Sequence, residues 1–176
     1  MSERRGFQIE LRTKGRRLEG YAAVFHQEAD IGGRFVESIA PGAFSASLRT
    51  RADILALVDH DPGRVLARTR SGSLRLSEDS RGLAFDLDVP DTTAGRDVLA
   101  LAERGDLGGM SFAFTAVDEH RDDDRREMRA VDLHEISVVL AWPAYDGTIV
   151  TARSRPEATA FRLYADRALR ILEASR

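Results

Sequence analysis

Apolar and polar residues alternate so regularly along the first half of this chain that most of it can fold only as strands. The clearest case sets Leu83, Phe85, Leu87 and Val89 against Ala84, Asp86 and Asp88. Successive strand side chains point to opposite faces, so such a segment puts one face on a core and the other in water. Phe7, Ile9 and Leu11 against Gln8, Glu10 and Arg12 repeat the pattern, as does the run from Leu18 to Phe25. Phe35 to Ile39 and Ile54 to Asp59 read as further short strands, with a helical turn from Phe44 to Leu48 after the break at Pro41-Gly42. Val65 to Thr69, Ser73 to Ser77 and Leu83 to Val89 are separated by Ser71-Gly72 and Asp79-Ser80-Arg81-Gly82, which predicts an antiparallel meander.

The period changes twice. From Thr92 to Arg104 the apolar positions Val98, Leu99, Leu101 and Ala102 take helical spacing, with Thr92 or Thr93 to cap and Gly105 to stop. Pro156 opens a second helix carrying Phe161, Tyr164, Ala168 and Ile171. Between them, Ser111 to Val117 and Val131 to Leu140 predict strands flanking Asp118 to Glu127, whose charge suggests a solvated loop or hairpin tip. The expected class is a β-rich α+β domain with peripheral helices at about 92–105 and 156–174.

A chain of 176 residues, 43% hydrophobic, is sized for one domain with a real core. Its formal charge of -3 predicts no general attraction to nucleic acid. The absence of cysteine excludes a disulfide framework, a thiol nucleophile and any cysteine-ligated zinc. The charged start from Met1 to Phe7 has no apolar stretch behind it, and no window reaches the ~20 apolar residues of a membrane span. The expectation is a soluble intracellular protein with no membrane or nucleic-acid partner.

Two residues stand where chemistry could be done. His60 lies in Val58-Asp59-His60-Asp61-Pro62, at the end of an apolar strand and the start of a turn. A strand end fixes a side chain while leaving it open to substrate, which suits a general base; position alone more commonly means an exposed turn histidine. Ser111 follows Gly105-Asp106-Leu107-Gly108-Gly109-Met110 and leads the strand Phe112-Ala113-Phe114. Glycines admit close approach of a substrate, and the N–H groups of Gly108 and Gly109 are candidate oxyanion donors. Taken alone, the stretch more commonly means a plain glycine-rich turn before a strand-leading serine. No Gly-x-Ser-x-Gly elbow is present. His134 and Glu135 are adjacent in Leu133-His134-Glu135-Ile136, so a strand can turn only one of them into a shared site. A metal held by His60, His134 and a carboxylate has no supporting spacing, and neither metal nor cofactor is expected.

Taken in order, a set of short stretches resembles the prohead maturation proteases of tailed phages, serine peptidases related in fold to herpesvirus assemblins. They are Gly20-Tyr21-Ala22-Ala23-Val24-Phe25, Glu37-Ser38-Ile39-Ala40-Pro41-Gly42-Ala43-Phe44, His60-Asp61-Pro62 with Leu66 and Arg68, Ser73-Leu74-Arg75-Leu76, Gly82-Leu83-Ala84-Phe85, and Pro90-Asp91-Thr92-Thr93-Ala94-Gly95-Arg96-Asp97. Gly108-Gly109-Met110-Ser111-Phe112-Ala113-Phe114 and Leu133-His134-Glu135-Ile136-Ser137-Val138-Val139 with Pro143-Ala144-Tyr145 complete the set, which spans roughly residues 18 to 150. Ala67 stands where such proteins often carry glycine before the arginine.

The resemblance implies an assemblin-like, mostly antiparallel β-barrel over residues 1–152; the C-terminal helix in 153–176 lies outside the resemblance and is expected to pack on the domain or to serve as a removable tail. The resemblance implies His60 as base, Ser111 as nucleophile and Glu135 as third member, with His134 the alternative because assemblins use a second histidine. It further implies a serine endopeptidase in the assembling procapsid within the host bacterial cytoplasm. Its substrate would be scaffold protein or the scaffold-like N-terminal segment of the major capsid protein, and self-cleavage and homo-oligomers are compatible with it. The competing expectation is a non-catalytic scaffolding protein that keeps the fold.

Overall fold

The computed structural model describes residues 2–7 and 12–141. In chain order the strands are β1 (Glu3–Phe7), β2 (Arg12–Lys14), β3 (Arg17–Val24), β4 (Ala29–Asp30) and β5 (Val36–Ile39). A short helix α1 (Ser45–Thr50) precedes β6 (Leu55–Val58), β7 (Asp61–Arg68), β8 (Leu74–Glu78) and β9 (Gly82–Asp88). Helix α2 (Thr93–Arg104) then leads into the long hairpin of β10 (Gly109–Asp122) and β11 (Arg125–Val139). The class is β-rich α+β, as the alternation predicts. The second predicted helix, 156–174, lies outside the described residues.

Among the described residues the strands form two open sheets rather than the expected closed barrel. One has seven strands, ordered β1-β10-β11-β5-β4, with β6 also on β11 and β7 on β6; the other runs β2-β3-β9-β8. Pairing is mostly antiparallel, but β5 and β6 both run parallel to β11, at its beginning and towards its end. The predicted meander is therefore divided, β7 belonging to the first sheet and β8 and β9 to the second. Turn residues mark where strands end but carry no information about which sheet receives the next one.

Of the two readings of the charged segment 118–127, the hairpin tip holds and the loop does not: β10 and β11 pair through Asp122 and Arg125, leaving two residues between them with Asp123 at φ 46°. Backbone ladder bonds need no apolar side chains, so a polar sequence continues a hairpin that its apolar base has already registered.

The core lies between the sheets. Leu18, Leu83 and Leu87 from the second sheet and Phe112, Phe114, Leu133 and Ile136 from the first are fully or almost fully buried. Phe44, before α1, stands edge-on to Phe112 at 5.5 Å between ring centroids, and Phe112 stacks on Phe114 at 5.2 Å. Helix α2 begins where Thr92 accepts the Gly95 N–H through its hydroxyl at 3.2 Å and ends at Gly105, φ 73°.

The second sheet is locked where β3 and β9 meet at an irregularity. A Cβ on Gly82 would lie 2.1 Å from the Ala23 carbonyl oxygen, a backbone atom that cannot rotate away. Gly82→Ala is expected to destabilise the domain by about 1–3 kcal/mol. The loss is read as a lower urea midpoint, and an unchanged midpoint would show that the two strands can separate at no cost.

Candidate functional site

Three elements of the first sheet converge on one spot. Ser111, near the start of β10, is the register partner of Ser137 on β11, and Glu135 lies two residues earlier on the same face of β11. Strand β6 runs along the other edge of β11, Leu57 beside Ser137 and Val58 beside Val138. It ends in the two-residue turn Asp59-His60, closed by the pairing of Val58 with Asp61.

Both turn residues have positive φ, 51° and 60°, as a type I′ hairpin turn requires. Aspartate and histidine tolerate this region better than most side chains, though less well than glycine. The turn is held to β11 by two hydrogen bonds: the Asp59 N–H donates to the Val138 carbonyl at 2.9 Å and the His60 N–H to Ser137 Oγ at 3.1 Å. The Asp59 carboxylate accepts the Leu140 N–H at 3.0 Å. The conformation returns the His60 ring across β11.

There the ring bridges two partners. Its Nδ1 is 2.5 Å from Glu135 Oε1, and its Nε2 is 2.7 Å from Ser111 Oγ. Glu135 is 7% exposed and Ser111 fully buried. A carboxylate accepting from Nδ1–H leaves Nε2 as the acceptor, the tautomer that can take a hydroxyl proton. Ser111 Oγ is also 2.7 Å from the Arg5 carbonyl oxygen on β1. The hydroxyl has one proton for two acceptors. It donates to His60 when Nε2 is bare and to Arg5 when Nε2 carries a proton.

Strand β1 is fixed beside the serine, Gly6 opposite Ser111, by a buried cluster of charges. The Arg5 guanidinium binds both oxygens of Glu37, one at 2.8 Å, and Glu3 at 2.7 Å. Arg126 binds Glu3 at 2.6 and 2.8 Å, Glu37 at 2.9 Å and Glu119 at 2.7 Å. Arg5, Glu37 and Arg126 are buried, so each charge depends on its partners for the solvation it has lost.

The Glu3 carboxyl is held down at about 2, first by its hydrogen bonds from Arg126, with the Arg5 and Arg126 charges adding and burial opposing. Its folded value lies below the ordinary value of 4.5, so its contribution to stability is intact above that pH and is lost as the pH falls towards 2. Wild-type stability, measured by urea unfolding at pH about 5 and about 3, is expected to drop on acidification more steeply than that of Glu3→Gln. Equal slopes would show that Glu3 carries none of the acid sensitivity.

His134 takes no part in this constellation. Its Nε2 is 2.8 Å from Thr115 Oγ1 and its Nδ1 3.9 Å from Asp132. Of the two candidate oxyanion donors, the Gly108 N–H already donates to the Val139 carbonyl at 2.9 Å, and Gly109 begins β10 at φ 137°. Among the described residues no group of three or more histidine and carboxylate side chains is arranged to hold a metal ion, and no helix is long and apolar enough to cross a membrane. The roles of Ser137 and of the Arg5–Arg126 cluster are not visible in the sequence. The signals for Ser137 were its place two residues after Glu135, on the same strand face, and its inclusion in the Leu133 to Val139 stretch of the resemblance.

Comparison with known proteins points the same way as this geometry. No curated protein and no solved structure matches the chain. The model of one family, described as caudovirus prohead serine protease, matches residues 7–161, a range that includes the His60, Ser111 and Glu135 positions. With most of its length covered by that match, the chain belongs to the family of caudovirus prohead serine proteases.

Proposed function

We propose that this chain is a serine endopeptidase of capsid maturation, with Ser111 as nucleophile, His60 as general base and acid, and Glu135 as the group that orients His60. The observation that carries the reading is the unbroken chain of contacts from Glu135 through His60, 2.5 Å at Nδ1 and 2.7 Å at Nε2, to the Ser111 hydroxyl. Ser111 Oγ attacks the substrate carbonyl carbon as its proton passes to His60 Nε2. The tetrahedral adduct collapses, His60 returns the proton to the leaving amine, and water hydrolyses the acyl-serine by the reverse relay. Glu135 stabilises the imidazolium formed in between. The Arg5 carbonyl competes for the same proton, so attack proceeds from the state in which the Ser111 hydroxyl donates to bare Nε2 and not to Arg5.

Family membership supports scaffold protein, or the scaffold-like N-terminal segment of the major capsid protein, as substrate, with cleavage inside the procapsid in the host cytoplasm. The protease domain is taken as residues 1–152, with 153–176, which lie outside the described residues, as a separate C-terminal segment.

The experiment is co-expression with the cognate capsid protein, reading the mass of the assembled subunit. A shortened subunit with wild type and a full-length one with Ser111→Ala is expected; full-length subunits in well-formed shells from both would replace the peptidase by the scaffolding relative. Glu135→Gln is expected to slow cleavage by on the order of 10³–10⁴, whereas His134→Gln stays near the wild-type rate. The reverse order of effects would make His134 the orienting group.

A further inference from the structure

Ser137 does no work in the relay just described, yet it is fully buried at the centre of the site. Its Oγ lies 2.6 Å from Glu135 Oε2, the oxygen that His60 does not use, and it also accepts the His60 N–H at 3.1 Å. One hydroxyl thus touches the backbone of the proposed base and the carboxylate that orients it. It does so from the position registered opposite Ser111.

The proton count permits one arrangement. The His60 N–H can only donate, so the Ser137 oxygen accepts there and its own proton goes to Glu135. Both Glu135 oxygens then have a donor, Nδ1–H on Oε1 and O–H on Oε2, which fixes the plane of the carboxylate. The same oxygen is the partner of an amide in the strained turn that carries the imidazole, at φ 60°. Without it, two polar groups lose their partner together: the buried carboxylate oxygen and the part-buried N–H. The carboxylate is then free to rotate about its Cγ–Cδ bond, and the turn to relax.

We infer that Ser137 is a positioning residue of the peptidase site, whose hydroxyl sets the orientation of Glu135 and, through the His60 main chain, the aim of the His60 ring at Ser111. The inference rests on the peptidase reading above, and its test is built so that the two fail separately.

The test uses the full chain and a fluorophosphonate, which phosphonylates an activated serine: Ser111 Oγ bonds to phosphorus, fluoride leaves, and the hydroxyl proton passes to His60. Ser137→Ala is expected to lower the maximal labelling rate by about 10–100-fold, the size typical of losing a group that orients a functional ligand, with probe affinity unchanged. A proton NMR spectrum supplies a readout independent of reactivity. The downfield resonance of the His60 ring N–H bonded to Glu135 is expected to move or broaden in Ser137→Ala while the near-ultraviolet circular dichroism of the core stays the same.

Ser137→Thr and Ser137→Val add nearly the same volume and differ in the hydroxyl. The threonine variant is expected to recover rate and resonance, and the valine variant neither. Labelling of Ser137→Ala within twofold of wild type at an unmoved resonance overturns the inference, as does an equal defect in threonine and valine, which would make the residue a matter of packing. A wild type that the probe does not label sinks the peptidase reading instead, and the resonance still decides whether Ser137 positions His60. Should Ser137→Ala not fold, the threonine and valine pair decides alone.

Discussion

The antiparallel register of β10 on β11 is the constraint on which everything else in this site depends. It sets Ser111 opposite Ser137 and places Glu135 two residues back on the same face. A slip of one residue would turn Ser111 to the opposite face and put Met110 or Phe112, both buried apolar side chains, among the polar groups of the site. The pattern of apolar side chains on these strands therefore holds the chemistry in place. Phe112, Phe114, Leu133 and Ile136 occupy the core only in this register, so the hydrophobic free energy of several large side chains resists a slip that would separate the polar groups.

The two parallel neighbours of β11 divide its length between them. Near the hairpin tip β5 brings Glu37 to Arg126, and towards the other end β6 brings His60 to Glu135 and Ser111. The first junction is a dense set of buried ion pairs that fixes β1, and β1 in turn sets the Arg5 carbonyl against the Ser111 hydroxyl. Buried ion pairs are weak contributors to net stability but costly to break singly, since the surviving partner is left charged and unsolvated. Such a cluster holds one strand in one place. That suits a strand whose backbone lies within hydrogen-bonding distance of a proposed nucleophile.

The alternation of residues made strands such as β3 and β9 legible, though not β1 or β4, and the spacing in 92–105 made α2 legible, because both periods reflect a single face meeting a core. The partition of β7 and β8 between sheets was not legible, since it depends on contacts far apart in sequence. Nor was it legible how far β10 and β11 continue through 118–127, where charge density reads as loop or hairpin tip alike while the backbone remains paired. At the site, residue type and position made His60 and Ser111 only candidates, and it was the ordered set of stretches resembling the prohead proteases that singled them out. The adjacency of His134 and Glu135 said that one of them would face the site without saying which; the facing side is decided by the register with β10, a long-range fact. Ser137 carried almost no signal, because a serine in an apolar strand looks like a tolerated polar residue until its neighbours are known.

The turn at Asp59-His60 shows how the fold holds a reactive group in a conformation its sequence disfavours. A two-residue hairpin turn with positive φ at both positions favours glycine and asparagine. A histidine there raises the energy of the folded state by an amount on the order of 1 kcal/mol. The compensation is local and identifiable: backbone hydrogen bonds from both turn residues to β11, the Asp59 carboxylate on the Leu140 N–H, and the ring itself held at each nitrogen. Strain concentrated on the residue proposed as base, and relieved by the strand that carries its proposed partner, ties the geometry of the relay to the pairing of β6 with β11. Any movement that separates those strands releases the turn and withdraws the ring from Ser111 in the same step, so the proposed catalytic geometry and the local fold stand or fall together.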